Sequence, residues 1–248
     1  MNLKIIACKV LWRELSLLTA TSRHYCDATF ISQGLHARPE GLRGILQAEI
    51  DAVESGGDIR TSYPPCGRPF DAILLGYALC SGSAEGLRSS KAPLVLPRAH
   101  DCVALLLGSR ERYGELFFAR SGTFWNSVGW SECGFMPDRE RRDAAYASFL
   151  AKRGAAAADR LIRADERWKE GYSRLAYIEW EALRDERCEG RCRRCAEYNG
   201  WAFEILRGDS GLLRRFVGGE WGDGEFLVAP PGRAIVQTYD ERIVEHAK

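Results

Sequence analysis

The sequence predicts an α/β chain: two Rossmann-like lobes with mainly parallel sheets and a cleft between them, joined by an aromatic loop and a long helix. Three observations predict it. Short apolar runs alternate with amphipathic helical patterns through residues 3–118. The run Ala72-Ile-Leu-Leu-Gly-Tyr-Ala-Leu79 is continuously apolar, as suits a parallel strand covered on both faces. The alternation breaks once, over residues 121–170, and then resumes. The expected domains are therefore an N-terminal lobe over 1–137 carrying the candidate site, a helical connector over 138–171 and a C-terminal lobe over 172–248.

Each element has its own signal. Leu3 to Cys8 is a short apolar run followed by Leu11, Leu15 and Leu18 at helical spacing, a strand and then a helix. Cys26 to Ile31 is a second strand. Pro39 opens a helical pattern in which Leu42, Ile45, Leu46, Ile50 and Val53 share a face, with Gly56 and Gly57 as the stop. After the third strand at Ala72, Leu94 to Pro97 is a fourth, and Val103 to Phe118 the helix behind it. Gly122, Gly129, Gly134 and Pro137 read as a loop bearing Phe124, Trp125, Trp130 and Phe135; such rings form either a binding wall or the cap of an ordered loop. Residues 139–170 carry a broken apolar stripe and a solvated charged face, predicting one long helix or two meeting near Gly154. Strand 175–178, helix 180–198, strand 201–206, helix 210–217 with Asp209 or Ser210 as its cap, and strand 225–229 complete the pattern.

Composition narrows the function. With 46% hydrophobic residues the chain fills a sizeable core, and 35 basic against 34 acidic side chains leave a charge of +1, no footprint for nucleic acid or an anionic membrane. No run approaches the roughly 18 apolar residues of a membrane span, and the N-terminal residues lack a secretory signal pattern. The expectation is a cytoplasmic protein acting on a small-molecule substrate, with no nucleic-acid or membrane partner. Nine cysteines are the anomaly. In a reducing compartment thiols serve as buried fillers, metal ligands or redox groups.

Position separates these roles. Cys8 falls just past the first strand, Cys80 just past the third, and His100, Asp101 and Cys102 just past the fourth. Ligands of an open parallel sheet bind beyond the carboxyl ends of its strands, so these residues predict one shared rim site. Thiolate and imidazole donors suit zinc, iron or an iron–sulfur cluster, and Cys8, Cys80, His100 and Cys102 are the candidate ligands. Asp101 and Glu14 are candidate catalytic carboxylates; Tyr77, Gly82, Trp125 and Trp130 are candidate cofactor contacts. The plainer alternative is three small thiols filling strand–helix junctions. A third reading makes Tyr77-Ala-Leu-Cys-Ser-Gly-Ser-Ala-Glu-Gly86 an anion cradle, although it fits neither phosphate-binding glycine motif.

The run Cys188-Glu-Gly-Arg-Cys-Arg-Arg-Cys195 superficially matches the radical S-adenosylmethionine spacing. It comes late, lies in a helical pattern and has Arg194 before its last cysteine, so that match is rejected. On a helix its thiols share one face and hold a metal only if another donor faces them. Arg191, Arg193 and Arg194 would lower the pKa of these thiols if exposed. Cys26, Cys66 and Cys133 carry no spacing signal, though Cys133 is placed to supply a fourth rim ligand. His24, His36 and His246 read as surface or locally satisfied residues.

The segments Leu3-Lys-Ile-Ile-Ala-Cys-Lys-Val-Leu-Trp-Arg-Glu-Leu15, Phe70-Asp-Ala-Ile-Leu-Leu-Gly-Tyr-Ala-Leu-Cys-Ser81, Pro97-Arg-Ala-His-Asp-Cys-Val-Ala-Leu-Leu-Leu-Gly-Ser109, Gly122-Thr-Phe-Trp125 and Glu225-Phe-Leu-Val-Ala-Pro-Pro-Gly232 carry a resemblance. Together they resemble an uncharacterised prokaryotic domain-of-unknown-function family, found mainly in anaerobes and methanogens and often encoded beside corrinoid proteins and methyltransferases. The resemblance covers nearly the whole chain and puts Cys8, Cys80, His100, Asp101 and Cys102 inside the family's motif segments, the C-x₃-C-x₂-C run outside them. It implies a setting of corrinoid-linked methyl transfer, with a corrinoid protein as partner. Joined to the residue reading, this gives a metal- or cluster-binding enzyme or enzyme component holding zinc or an iron–sulfur cluster, with Trp125 and Trp130 walling the substrate or corrin. The alternatives are a non-catalytic metal or cofactor carrier and a metal-free anion-binding protein.

Overall fold

The computed structural model of the chain describes residues 1–35, 38–55 and 69–247. Gly56, Gly57, Cys66 and His36 lie outside them. In chain order the elements are β1 (Asn2–Cys8), α1 (Trp12–Ala20), β2 (Tyr25–Ile31), α2 (Pro39–Ser55), β3 (Ala72–Gly76), β4 (Leu94–Pro97), α3 (Cys102–Leu107), α4 (Arg110–Ala119), β5 (Thr123–Ser127), α5 (Val128–Cys133), α6 (Arg139–Arg153), α7 (Ala155–Glu166), β6 (Arg174–Glu179), α8 (Glu186–Asn199), β7 (Ala202–Arg207), α9 (Gly211–Gly218), β8 (Phe226–Ala229), β9 (Ile235–Gln237) and β10 (Val244–His246). Two compact units result, Met1–Tyr113 with Gly208–Lys248, and Gly114–Arg207.

The first unit is built on a five-stranded sheet in the order β2-β1-β3-β4-β8. The first four strands run parallel, and β8 closes the edge antiparallel to β4, from Leu94 opposite Ala229 to Pro97 opposite Phe226. Strands β1 and β3 are apolar and buried on both faces because helices cover both sides, as parallel sheets require. Lys4 is the exception, fully buried on β1, with its Nζ 2.9 Å from Oδ1 of Asp27, its register partner on β2. Close packing also fixes Gly76: a Cβ there would lie 2.5 Å from the Ala7 Cβ on the adjacent strand. Helix α2 buries Leu42, Leu46 and Ile50; Ile45, expected on that face, is instead exposed because it lies at its border.

The second unit holds a parallel sheet in the order β5-β6-β7. Leu175 and Tyr177 of β6 pack against Cys188, Cys192, Cys195 and Ala196 of α8.

Several expectations change. The aromatic loop of 121–137 contains a strand and a helix: β5 pairs along β6 from Thr123 opposite Arg174 to Ser127 opposite Ile178, and the Ser127 hydroxyl caps α5. Two of its rings pack within the second unit, Phe124 lying 5.8 Å from both Tyr172 and Trp201 and Phe135 5.5 Å from Trp168. The helix expected over 103–118 breaks at Gly108, whose φ of +77° ends α3 before α4 begins. The long helix is two, with Gly154 between them as anticipated. Helix α8 starts later than expected, after a 3₁₀ turn at Glu181–Leu183. Asp209 rather than Ser210 serves the start of α9, its Oδ1 accepting the Gly211 N–H at 2.6 Å. The units do not follow boundaries at 137 and 171, because β5 pairs with β6 while the last strands return to the first sheet. The short β9–β10 hairpin has no counterpart in the expected element list.

Candidate functional site

The candidate site lies at the carboxyl ends of β1, β3 and β4. The chain leaves β1 for β2 on one side and returns as β3 on the other, so the sheet order reverses between β1 and β3. Such a reversal opens a crevice beyond the strand ends, the usual ligand position in this kind of sheet. Cys8 ends β1, Cys80 follows β3, and Cys102 opens α3 behind β4.

The backbone that presents Cys80 is unusual. Cys80, Ser81 and Gly82 have φ of 47°, 59° and 82°, three consecutive left-handed residues of which only the last is glycine. A non-glycine residue in this region costs about 1–2 kcal/mol. The surroundings hold the turn. Leu79 and Cys80 donate their N–H groups to the carbonyls of Ala99 (2.9 Å) and His100 (3.0 Å), and the Gly82 and Ser83 N–H groups close back on Leu79 and Cys80. Arg43 Nη2 donates to the Gly82 carbonyl at 2.8 Å.

The three thiols share one electrostatic neighbourhood with Tyr77. Burial pushes Cys80 up to about 12, with the nearby Cys8 and Asp101 adding to the rise against a backbone hydrogen bond that lowers it. Cys102 is driven well above the ordinary thiol range, first by burial and then by Cys80, Cys8 and Asp101. The buried Tyr77 hydroxyl has no hydrogen-bond partner among the described residues, and burial, then Cys8, Cys80 and Cys102, push it above the phenol range. Unaided thiolate nucleophiles need lowered pKa values. Cys80 and Cys102 are raised by burial and by their thiol neighbours, the condition that a bound cation reverses.

Asp101 is the N-cap of α3. Its Oδ1 accepts the Val103 N–H at 2.9 Å and its Oδ2 the Tyr113 hydroxyl at 2.6 Å, so both oxygens are engaged in holding the helix start that carries Cys102. Burial raises Asp101, more than the bonds from Tyr113, Val103 and Ala104 and the charge of His100 lower it. The His100 side chain is exposed. Glu14 is buried in the first turn of α1. Trp125 and Trp130 sit on β5 and α5, and Cys133 ends α5, all in the second unit. Sequence reasoning missed Tyr113, whose link to Asp101 crosses the Gly108 break, and Ser83, a fully buried hydroxyl beside the turn without a hydrogen-bond partner among the described residues.

A family model described as "Protein of unknown function (DUF1638)" matches residues 30–217. The chain belongs to the DUF1638 family. The DUF1638 match takes in Cys80, His100, Asp101, Cys102 and the Cys188–Cys195 run, while Cys8 precedes it. No curated protein and no solved structure matches the chain.

The donor set of the rim suits a soft metal. Among the described residues, the three rim sulfurs are not a group whose ligand atoms all lie within 4.8 Å of one another. One group does meet that distance, Glu132, Asp185 and Cys188 in the second unit. The three thiols of α8 share a face as the spacing predicts, but that face is the core. Cys192 donates its S–H to Asn126 Oδ1 at 3.3 Å, and Asn199 Nδ2 donates to the Cys195 carbonyl at 2.8 Å. Burial raises Cys192 to about 12 and Cys195 to about 11, outweighing nearby Arg191, which is engaged with Asp138.

Proposed function

We propose that the first unit holds a thiolate-ligated metal centre on Cys8, Cys80 and Cys102, with His100 or an external donor completing it. The single observation that carries this reading is the gathering of three half-buried thiols at the sheet's reversal point around a Tyr77 hydroxyl without a hydrogen-bond partner among the described residues, Cys80 being presented on a strained left-handed turn. A thiolate donor set of this kind suits an iron–sulfur cluster, in which each thiolate ligates its own iron, or zinc. Such a centre would supply Lewis-acid or electron-transfer chemistry. The chain's own part is to position it: Asp101 and Tyr113 fix the start of α3, and Tyr77 offers a hydrogen bond to a sulfur or bound ligand.

The setting we propose is corrinoid-linked methyl transfer, supported by the family resemblance in the motif segments. We read both units as Rossmann-like, which the parallel pairing and the 2-1-3-4 strand order of the first sheet support. The engagement of both Asp101 oxygens favours a second reading, a carrier that delivers its metal rather than a catalyst. Anaerobic purification followed by iron, sulfide and zinc analysis and visible spectroscopy tests the centre. The expected result is a stoichiometric metal with sulfur-to-metal absorption that is lost in Cys80→Ser and Cys102→Ser. A colourless, metal-free protein that takes up neither zinc nor reconstituted cluster overturns it. Asp101→Asn then separates the roles, since a catalyst loses turnover with its metal retained and a carrier still transfers metal to an acceptor chelator.

A further inference from the structure

We propose that Glu132, Asp185 and Cys188 form a separate metal site in the second unit, taking one divalent transition-metal ion of the zinc class and leaving a coordination position open. The inference is independent of the rim centre.

The three donors come from two elements that meet at one end of the β5-β6-β7 sheet. Helix α5 follows β5 directly and carries Glu132, while Asp185 precedes α8 and Cys188 lies in its first turn, both after the carboxyl end of β6. That is the ligand-binding rim of a parallel sheet. One ligand atom from each residue lies within 4.8 Å of the other two. A zinc ion with bonds of about 2.0–2.3 Å holds its donors roughly 3.5 Å apart, so the group needs to close by no more than about 1.3 Å on binding. Two carboxylates and one thiolate form a mixed donor set that zinc-class ions accept and that calcium and magnesium, which prefer oxygen alone, do not.

A second observation points into the same place. Tyr177 is fully buried on β6 and packs in one apolar cluster with Cys188, yet its hydroxyl has no hydrogen-bond partner among the described residues. The charged neighbours acting on it are headed by Cys188 and include Asp185. A buried hydroxyl beside a thiol is costly unless it finds an acceptor. A metal-bound thiolate is such an acceptor, and the bond would orient it as outer-shell partners do. Asp185 already caps α8 by accepting the Arg187 and Cys188 N–H groups at 2.9 and 3.2 Å, which fixes its carboxylate. Both cap bonds fall on Oδ1, and each carboxylate oxygen has two acceptor sites, so Oδ2 is the oxygen with room for an ion. Arg187 pairs with Asp185 Oδ2 at 3.0 Å from a side chain that is 87% exposed, a contact that opens at little cost.

The test uses the full chain, stripped of metal with a chelator and titrated with cobalt(II) under anaerobic conditions. Cobalt reports a thiolate ligand through its charge-transfer band. In a chain with Cys8, Cys80 and Cys102 all replaced by serine, one equivalent should bind with a single-thiolate band. Cys188→Ser should abolish that band, and Glu132→Gln should weaken binding at least tenfold. Glu132 is exposed, so its replacement leaves the fold intact. Should the triple replacement not fold, Glu132→Gln in the otherwise unaltered chain must weaken one class of sites tenfold. Absence of cobalt binding in the folded triple variant, or an isotherm and spectrum unchanged by Glu132→Gln and Cys188→Ser, overturns the site.

Discussion

Asp27 and Lys4 face each other across β2 and β1 with almost no solvent, and one cannot lose its partner cheaply. Removing one member of a buried pair leaves the other charge desolvated, at about 3–5 kcal/mol, whereas replacing both with apolar groups is close to neutral. Asp27→Asn should therefore lower the unfolding free energy in urea by that amount, and Lys4→Met with Asp27→Leu should recover most of it. Equal losses in the single and double variants would show that packing, and not the charge, matters. The pair was not legible in the sequence, because a lysine in the middle of an apolar run looks like any polar interruption until the register puts Asp27 opposite it. The rim thiols were legible for the converse reason. Their signal was position after strands, which needs only the strand ends and the parallel arrangement. Tyr113 and Ser83 left no such mark.

At the scale of elements, Glu54 near the end of α2 clasps the segment before β4. It accepts hydrogen bonds from Ser90 N (3.0 Å), Lys91 N (2.6 Å) and the hydroxyls of Ser89 and Ser90. Burial raises its carboxyl, and these bonds together outweigh burial, pulling it from 4.5 down to about 2. A depressed carboxylate stabilises the fold fully above its unfolded value, and the contribution fades as pH falls from about 4.5 toward about 2. Since the group is largely solvated, about 1 kcal/mol is the expected size. Glu54→Gln should be less stable than the parent at pH 6, with the gap shrinking as pH falls below about 4.5 and closing only near about 2; a gap independent of pH excludes the clasp. Strands β1, β3 and β4 were legible because burial on both faces demands unbroken apolar runs. Strand β5 was not: Thr-Phe-Trp-Asn-Ser flanked by glycines has loop composition, and only pairing with β6 makes it a strand. Strands β9 and β10, three residues each, are too short to show a period.

The whole molecule departs most from expectation in its connectivity. Alternation of strands and helices announced an α/β chain, but it holds no information about which sheet a strand joins. Arg98 shows why the terminal segment belongs to the first unit. Buried just beyond β4, it donates to the carbonyls of Asp223, Arg242 and Val244 and pairs with Asp223 and Glu245, tying β4 to the approach of β8 and to β10. The second unit is thus one continuous stretch inserted into the first, and the first is made from both ends of the chain. On a ribosome this fixes an order. Strands β5, β6 and β7 are all translated before β8, while β4 waits for a partner that follows the whole second unit. Long-range pairings of that kind also form late when a chain refolds from denaturant. Pulse-labelled hydrogen exchange during refolding should protect β6 amides before those shared by β4 and β8, and simultaneous protection would contradict it. The unit that carries Cys8, Cys80 and Cys102 is the last to close, so its thiols spend the nascent phase beside an unfinished sheet edge.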